Sequence, residues 1–379
     1  MNIRIEANSL TTKHISGVGY FTKRLAEALA AQPNVRVSAF SFNFLGRQQT
    51  PPLNAIIHQD VIRSFPLRVY AKLQSHRLAL HYDSLLKPVD LTIFTNYAKL
   101  PSVKSRFTAT TIHDLTYIKH PELMEKDNLP HLTRIVRRSI TKSDLVLTVS
   151  EAVKKEIVEH FNVSTEKVLT LPVPPDEAFF AKNNNEVHEK YHIPTKKYIF
   201  FISTIEPRKN VPFLVEAYTQ LPKSITDEYS LILSGGMGWK SEESTAAIKQ
   251  AQSQGLNVVH TGYIDENDKS ALYQQASLFV FPSIYEGFGM PILEAAASKT
   301  PVVTADIPVL REAAGEGAQY FTLYDSASLI KAMTDVLTTP ELQQQLITKA
   351  SAHLASFSWH TNAQKIITAV DRLEKETRR

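Results

Sequence analysis

Short apolar runs alternate with helical stretches along most of the chain. Residues 2–7 alternate apolar and polar positions as a short strand does, residues 8–16 form a polar loop, and from Gly17 the apolar positions Phe21, Leu25, Ala28 and Leu29 recur at helical spacing. Residues 35–44, 91–96, 107–112, 145–149 and 168–173 have the length and apolar content of further strands, with helices over 132–141 and from Ser150 to 158. The same alternation restarts later: strands at 198–203, 229–233, 258–263, 278–282 and a last one at 301–304, with helices at 265–275 and 308–314. Runs that are apolar throughout and end in polar turns suit parallel strands buried on both faces. The pattern predicts an α/β protein of two domains. Pro172, Pro174 and Pro175, followed by the polar run 182–189, mark a linker, which places one domain at 1–176 and the other at 195–357. Residues 358–379 carry Trp359, Ala363, Ile366, Ile367, Val370 and Leu373 on one stripe, so this last helix must cover something.

A length of 379 residues exceeds one ordinary core, and 43% hydrophobic with 21% charged residues describes a soluble globular chain. No cysteine is present, which excludes disulfide and thiolate chemistry and suits a reducing, cytoplasmic setting. The start, Met1-Asn2-Ile3-Arg4-Ile5-Glu6, lacks a signal pattern, and no stretch nears the ~20 apolar residues that span a bilayer. The formal charge of +4 divides into +7 for residues 1–180 and −3 for the remainder. A basic first half suits an anionic partner, a lipid surface at the inner face of the membrane or a phosphorylated acceptor; scattered solvated charge explains it equally. Residues 61–86 read as a helix with Arg63, Arg68, Lys72 and Arg77, and Lys87 beyond, around Phe65, Leu67, Tyr70, Leu73, Leu78 and Leu85. Such a helix either lies on a membrane surface or packs on a core with its basic face wet.

The densest group of chemically useful residues is 279–294. There a strand enters a turn with Gly287 and Gly289, Pro291 opens a helix, and Glu286 and Glu294 bracket the turn. The N–H groups of such a helix bind phosphate or hydroxyls. Arg208 and Lys209 follow another strand at a helix entrance, where cations and free N–H groups suit a diphosphate; solvated charges are the plainer alternative. His113 and Asp114 follow the 107–112 strand, at the end where ligands of open α/β sheets gather, and an aspartate can orient and tune a histidine. Gly17 and Gly19 make a strand–loop–helix turn that either borders a substrate or is structural. No basic strand interleaved with aromatics points to nucleic acid.

Together these segments closely resemble glycosyltransferase family 4. The resemblance rests on Gly17-Val18-Gly19-Tyr20, Thr111-Ile112-His113-Asp114-Leu115, Thr148-Val149-Ser150-Glu151, Glu206-Pro207-Arg208-Lys209-Asn210 and the Glu286–Glu294 pair, the family's Glu-x7-Glu motif. It covers nearly the whole chain, and its wording is most like mannosyltransferase-type members. The resemblance implies a GT-B fold of two doubly wound, Rossmann-like domains facing across a cleft, with the C-terminal helix packed back on the first. It implies a retaining enzyme that moves a hexose from a nucleotide diphosphate sugar to a glycan or lipid-linked acceptor. Glu294 is expected on the ribose hydroxyls and Arg208 with Lys209 on the diphosphate. Glu286 and the backbone of Gly287, Phe288, Gly289 and Met290 are expected on the donor sugar, His113 beside the reacting sugar, and Gly17 to Gly19 bordering both substrates. Where some relatives carry an arginine, this chain has Ser203, which leaves the positive charge to Arg208 and Lys209. No convincing Asp-x-Asp metal site occurs, and neither metal nor cofactor is expected. The alternatives are another GT-B enzyme, an epimerase or sucrose-type synthase, or a silent nucleotide-sugar-binding partner subunit.

Overall fold

The structure, a computed structural model, describes residues 1–12, 15–46, 49, 51–63, 81–84, 86–124 and 129–377. It divides into two compact units: Met1–Lys119, Lys126–Val173 and Ser358–Arg379 form the first, and His120–Glu125 with Pro174–Phe357 the second. No helix among the described residues is long and apolar enough to cross a membrane.

Unit 1 holds β1 (Asn2–Glu6), β2 (Arg36–Phe42), β3 (His58–Ile62), β4 (Val89–Phe94), β5 (Ser105–Thr111), β6 (Leu145–Thr148) and β7 (Val168–Thr170), all parallel, in the order β3-β2-β1-β4-β5-β6-β7. The order reverses between β1 and β4, so their carboxyl ends flank a crevice of the kind that takes ligands in such sheets. Strand β3 corrects the sequence expectation of a helix beginning at Val61. Its residues His58, Gln59 and Asp60 are polar because it is an edge strand with one half-wet face, so it lacks the apolar run that marks its neighbours. Of the rest of the expected 61–86 helix, residues 64–80 and 85 lie outside the described residues, and residues 82–84 form a turn.

Helix starts in unit 1 are capped as their sequences dictate. Ser150 Oγ accepts from the Val153 N–H at 3.1 Å, satisfying a donor that the Glu151–Phe161 helix leaves open. The helix Trp359–Thr377 lies on the helix Gly17–Ala30, with Trp359 against Phe21 at 5.9 Å and Ala363, Ile366 and Val370 buried. Asn362 and Lys365 donate to the carbonyls of Pro172 and Thr170, at 2.7 and 3.0 Å, and tie the same helix to the end of β7.

Unit 2 contains β8 (Lys197–Ile202), β9 (Tyr229–Ser234), β10 (Val258–Gly262), β11 (Leu278–Phe281), β12 (Val302–Ala305) and β13 (Gln319–Phe321), parallel, in the order β10-β9-β8-β11-β12-β13. Strand β13 continues the sheet beyond the strand expected to be last. Three residues between Gly317 and a turn are too few to show a period. In the core the Tyr273 ring meets Phe200 at 5.1 Å and Phe279 at 5.2 Å, edge-on to the first and tilted to the second, burying large apolar area at the sheet centre. The polar run 182–189 is not a free linker. Asn183 Nδ2 donates to the Asn267 carbonyl at 2.7 Å and Ser270 Oγ at 2.8 Å, and Asn185 Nδ2 to Asp268 at 2.6 Å, while Val187 is buried. Its amides serve as partners for the Glu266–Gln275 helix, which composition alone cannot distinguish from exposure to solvent.

The loops that follow β8 and β9 abut tightly. Gly235 takes φ +123°, and a methyl group there would stand 1.9 Å from the Ser203 carbonyl oxygen. Gly255 also has a left-handed φ, +79°, but faces open space. Gly235→Ala is therefore expected to cost roughly 3 kcal/mol or more, adding collision to backbone strain, whereas Gly255→Ala costs about 1 kcal/mol of strain alone. Urea unfolding of the two variants checks this difference.

Candidate functional site

In unit 2 the strand order reverses between β8 and β11, and the segments leaving those two strands carry the expected diphosphate and sugar residues. After β8 the chain makes one 3-10 turn, Pro207–Lys209, and passes through left-handed Asn210 (φ +56°) into the helix Val211–Thr219. After β11 it turns through 282–289 and enters the helix Met290–Ala297 at Gly289, whose φ of +114° few other residues adopt. A methyl at Gly289 would also press on Leu310 at 2.9 Å. The two segments are joined by main chain, since the Ile284 N–H donates to the Arg208 carbonyl at 2.9 Å.

This geometry places two cations on one carboxylate. Arg208 donates through one terminal nitrogen to Glu286 Oε2 at 2.6 Å and to the Tyr285 carbonyl at 3.0 Å, and Lys209 Nζ donates to Glu286 Oε1. On its other side Arg208 meets Glu206 at 2.9–3.0 Å. The side chains of Arg208, Lys209, Glu286 and Glu206 are only 16%, 8%, 9% and 4% exposed, so this is a largely desolvated cluster rather than a surface pair. Burial alone would raise the Glu286 carboxyl, but Arg208 and Lys209 outweigh it and hold the pKa at about 2, so Glu286 is ionised throughout the neutral range. Burial pushes Lys209 down, and Arg208 beside it adds to the effect, against the opposing pull of Glu286. Glu206 goes the other way, raised by burial despite Arg208 and Lys209.

Glu294, on the helix Met290–Ala297, forms a second cluster. Its carboxylate accepts from Lys269 Nζ at 2.7 Å and from the Tyr273 hydroxyl at 2.9 Å. Lys269 and Tyr273 were not singled out in the sequence. The available signal was their spacing of four on the helix Glu266–Gln275, which puts both on one face. Glu206 stands in the sequence only as part of the Glu206–Asn210 motif; the structure shows that it holds Arg208. Phe288 buries its ring against Phe357 at 5.7 Å, so what it can offer a ligand is its backbone. Gly287 and Met290 flank that stretch, Met290 as the first residue of the helix.

The other expected residues belong to unit 1. His113 follows β5 and bonds through Nε2 to the Thr95 carbonyl at 2.8 Å; a carbonyl only accepts, so Nε2 carries the proton. Burial lowers the His113 pKa, against the smaller opposite effects of Thr95 and Asp114, so the ring is neutral near pH 7 and Nδ1 presents a lone pair. Asp114 does not orient the ring as the sequence suggested. Its Oδ1 accepts instead from the Thr116 N–H at 3.1 Å, closing a turn. Thr95 in turn donates its hydroxyl to the Glu6 carbonyl at 2.9 Å, linking the ends of β1, β4 and β5. Gly17 and Gly19 lie in the first turn of the helix Gly17–Ala30, where a methyl on Gly19 would meet the Ser9 carbonyl oxygen at 2.9 Å. That close approach gives Gly19 a packing reason of its own.

Residues 183–353 match the family described as Glycosyl transferases group 1, and residues 15–178 match Glycosyltransferase Family 4. Among curated proteins, O-antigen chain mannosyltransferase B of Escherichia coli is 30% identical over 263 residues, 69% of each chain. The serotype-specific mannosyltransferase WbdA of the same species is 30% identical over 240 residues, which cover 61% of this chain but only 29% of that longer protein. Among solved structures, sucrose-phosphate synthase from Thermosynechococcus elongatus superposes with a TM-score of 0.77 at 17% identity, over 99% of both chains. Anabaena HepE, in complex with UDP and glucose, gives 0.69 at 18% identity, over 98% of this chain and 100% of its own. At these identities the two structures speak for the fold alone.

The depressed Glu286 pKa fixes a pH dependence. The folded carboxyl releases its proton at about 2 against an ordinary 4.5, so its contribution is complete above about pH 4.5 and is lost as pH falls toward 2. Between pH 7 and pH 3 the wild-type protein should lose roughly 2 kcal/mol more stability than Glu286→Gln. Urea titrations of both proteins at the two pH values measure this.

Proposed function

Because the chain belongs to the family 4 glycosyltransferases and has their GT-B fold, we propose that it transfers a hexose, mannose before others, from a nucleotide diphosphate sugar such as GDP-mannose to a glycan or lipid-linked acceptor, with retention and without a metal. The observation that carries this reading is the pair of buried cations, Arg208 and Lys209, beside a carboxylate at the switch point of unit 2. When the anomeric bond breaks, the departing diphosphate gains negative charge. Cations already fixed in place stabilise that charge more in the transition state than in the ground state. The backbone donors around Gly287 and Gly289, at the start of the helix Met290–Ala297, add positive partial charge on the same side. This is the neutralisation a divalent ion supplies elsewhere, and it supports chemistry without one.

Glu294 suits the ribose hydroxyls. Lys269 and Tyr273 each take one carboxylate oxygen, which fixes the group while leaving further lone pairs to accept from a diol. Neutral His113, with Nδ1 unprotonated, suits a substrate hydroxyl as an acceptor rather than acid catalysis. The acceptor hydroxyl then attacks on the leaving-group face, and a donor phosphate oxygen takes its proton. The mannosyltransferase relatives favour mannose and a polysaccharide of the O-antigen kind. The sucrose-phosphate synthase likeness is of fold only and does not favour the synthase alternative. Exposed Arg134, Arg138 and Lys142 on the helix Leu129–Lys142, with the +7 surplus of residues 1–180, support peripheral contact with an anionic membrane.

The test is release of free nucleoside diphosphate, measured in EDTA with and without acceptor oligosaccharide, for donors first ranked by thermal shift. Release that requires the acceptor supports the transferase, and turnover falling about 100-fold or more in Lys209→Ala supports the diphosphate role. Unchanged kinetics in that variant would remove it, and release independent of acceptor would favour another reaction.

A further inference from the structure

Arg208 and Lys209 are not open cations. Both already bind the Glu286 carboxylate, and Arg208 binds Glu206 as well. On the donor reading above, a diphosphate would need the same donors that Glu286 uses, the terminal nitrogen of Arg208 at 2.6 Å and Lys209 Nζ. Carboxylate and phosphate oxygens compete for such donors because both accept charge-assisted hydrogen bonds of the same geometry. Among the described residues Glu286 pairs with no cation besides these two. A free nucleoside diphosphate also carries a second titrating charge at its terminal phosphate, with pKa near 6, which a sugar-capped one lacks. Repulsion from a fixed carboxylate therefore acts more strongly on the product than on the donor.

We infer that Glu286 is an internal counter-ion that competes with the diphosphate for Arg208 and Lys209, loosening the hold on the released nucleoside diphosphate. This rests on the donor reading and extends it: the residue expected on the sugar also sets how readily the spent nucleotide leaves. The opposite arrangement, in which Glu286 merely positions the two cations for an anion, predicts the opposite sign, because losing the support would weaken binding.

Calorimetric titration of the full chain with inorganic pyrophosphate, GDP and UDP decides between them. Glu286→Gln should bind pyrophosphate, and whichever nucleoside diphosphate the wild type binds, about tenfold or more tighter, while Glu286→Asp, which keeps the charge, should stay within about threefold of wild type. Equal or weaker binding by folded Glu286→Gln overturns the inference. Crystals of the wild-type protein with pyrophosphate give a second measurement that needs no variant. Glu286 should have left Arg208 and Lys209, and a carboxylate still bridging both cations beside the bound anion overturns the inference. Failure of the donor reading is distinct: it shows as wild-type protein that binds none of the three anions, or as Lys209→Ala that binds them undiminished. Weakening in Lys209→Ala without tightening in Glu286→Gln sinks the counter-ion alone.

Discussion

The rest of the site depends on one costly arrangement, the Glu286 carboxylate clamped between Arg208 and Lys209 away from water. Taking three charges out of solvent costs several kcal/mol per ion, and the mutual attraction of a buried pair often does no more than offset that. An apolar group of similar size would serve stability as well. The cluster is better understood as charge kept at the site for an anion: once an anion has taken the place of Glu286, cations in a site of low polarity act strongly on its developing negative charge. The sheet makes this possible, because β8 and β11 are neighbours whose chains leave in opposite directions and open a crevice at their carboxyl ends. The bond from Ile284 N–H to the Arg208 carbonyl then locks the two loops in register.

Unit 1 repeats the logic with weaker chemistry. Its switch point lies between β1 and β4, and the chain ends that meet there are joined by Thr95, which donates to the Glu6 carbonyl and accepts from His113. The result is a neutral, oriented imidazole. Its ring is held by a backbone carbonyl and by the edges of Phe21 and Tyr97, at 5.3 and 5.9 Å, so the neighbouring aspartate is spared for turn formation.

Much of this was legible in the sequence where burial is complete. Strands such as Phe279–Phe281 are apolar at every position because helices cover both faces, and runs of that kind show their boundaries to within a residue or two. The edge strands β3 and β13 escaped because pairing on one side permits polar residues in the first and needs only three residues in the second. The engagement of the polar run 182–189 escaped for a related reason: asparagine signals a turn or solvent equally well when its amide is bonded, as that of Asn183 is, to a helix some eighty residues onward. At the site, the motif residues Arg208, Lys209, Glu286 and Glu294 were visible as special types after strands. Their partners were not: Lys269 and Tyr273 reach Glu294 across more than twenty positions, and Glu206, though only two residues before Arg208, has no periodic signal that marks the contact.

The central claim is that Arg208 and Lys209 receive the donor diphosphate. A crystal structure of the protein with its cognate nucleotide sugar measures this most directly. The account predicts diphosphate oxygens within hydrogen-bonding reach of the Arg208 guanidinium and Lys209 Nζ, with the ribose at Glu294. A nucleotide sugar seated elsewhere on unit 2, its phosphates out of reach of both cations, would contradict it.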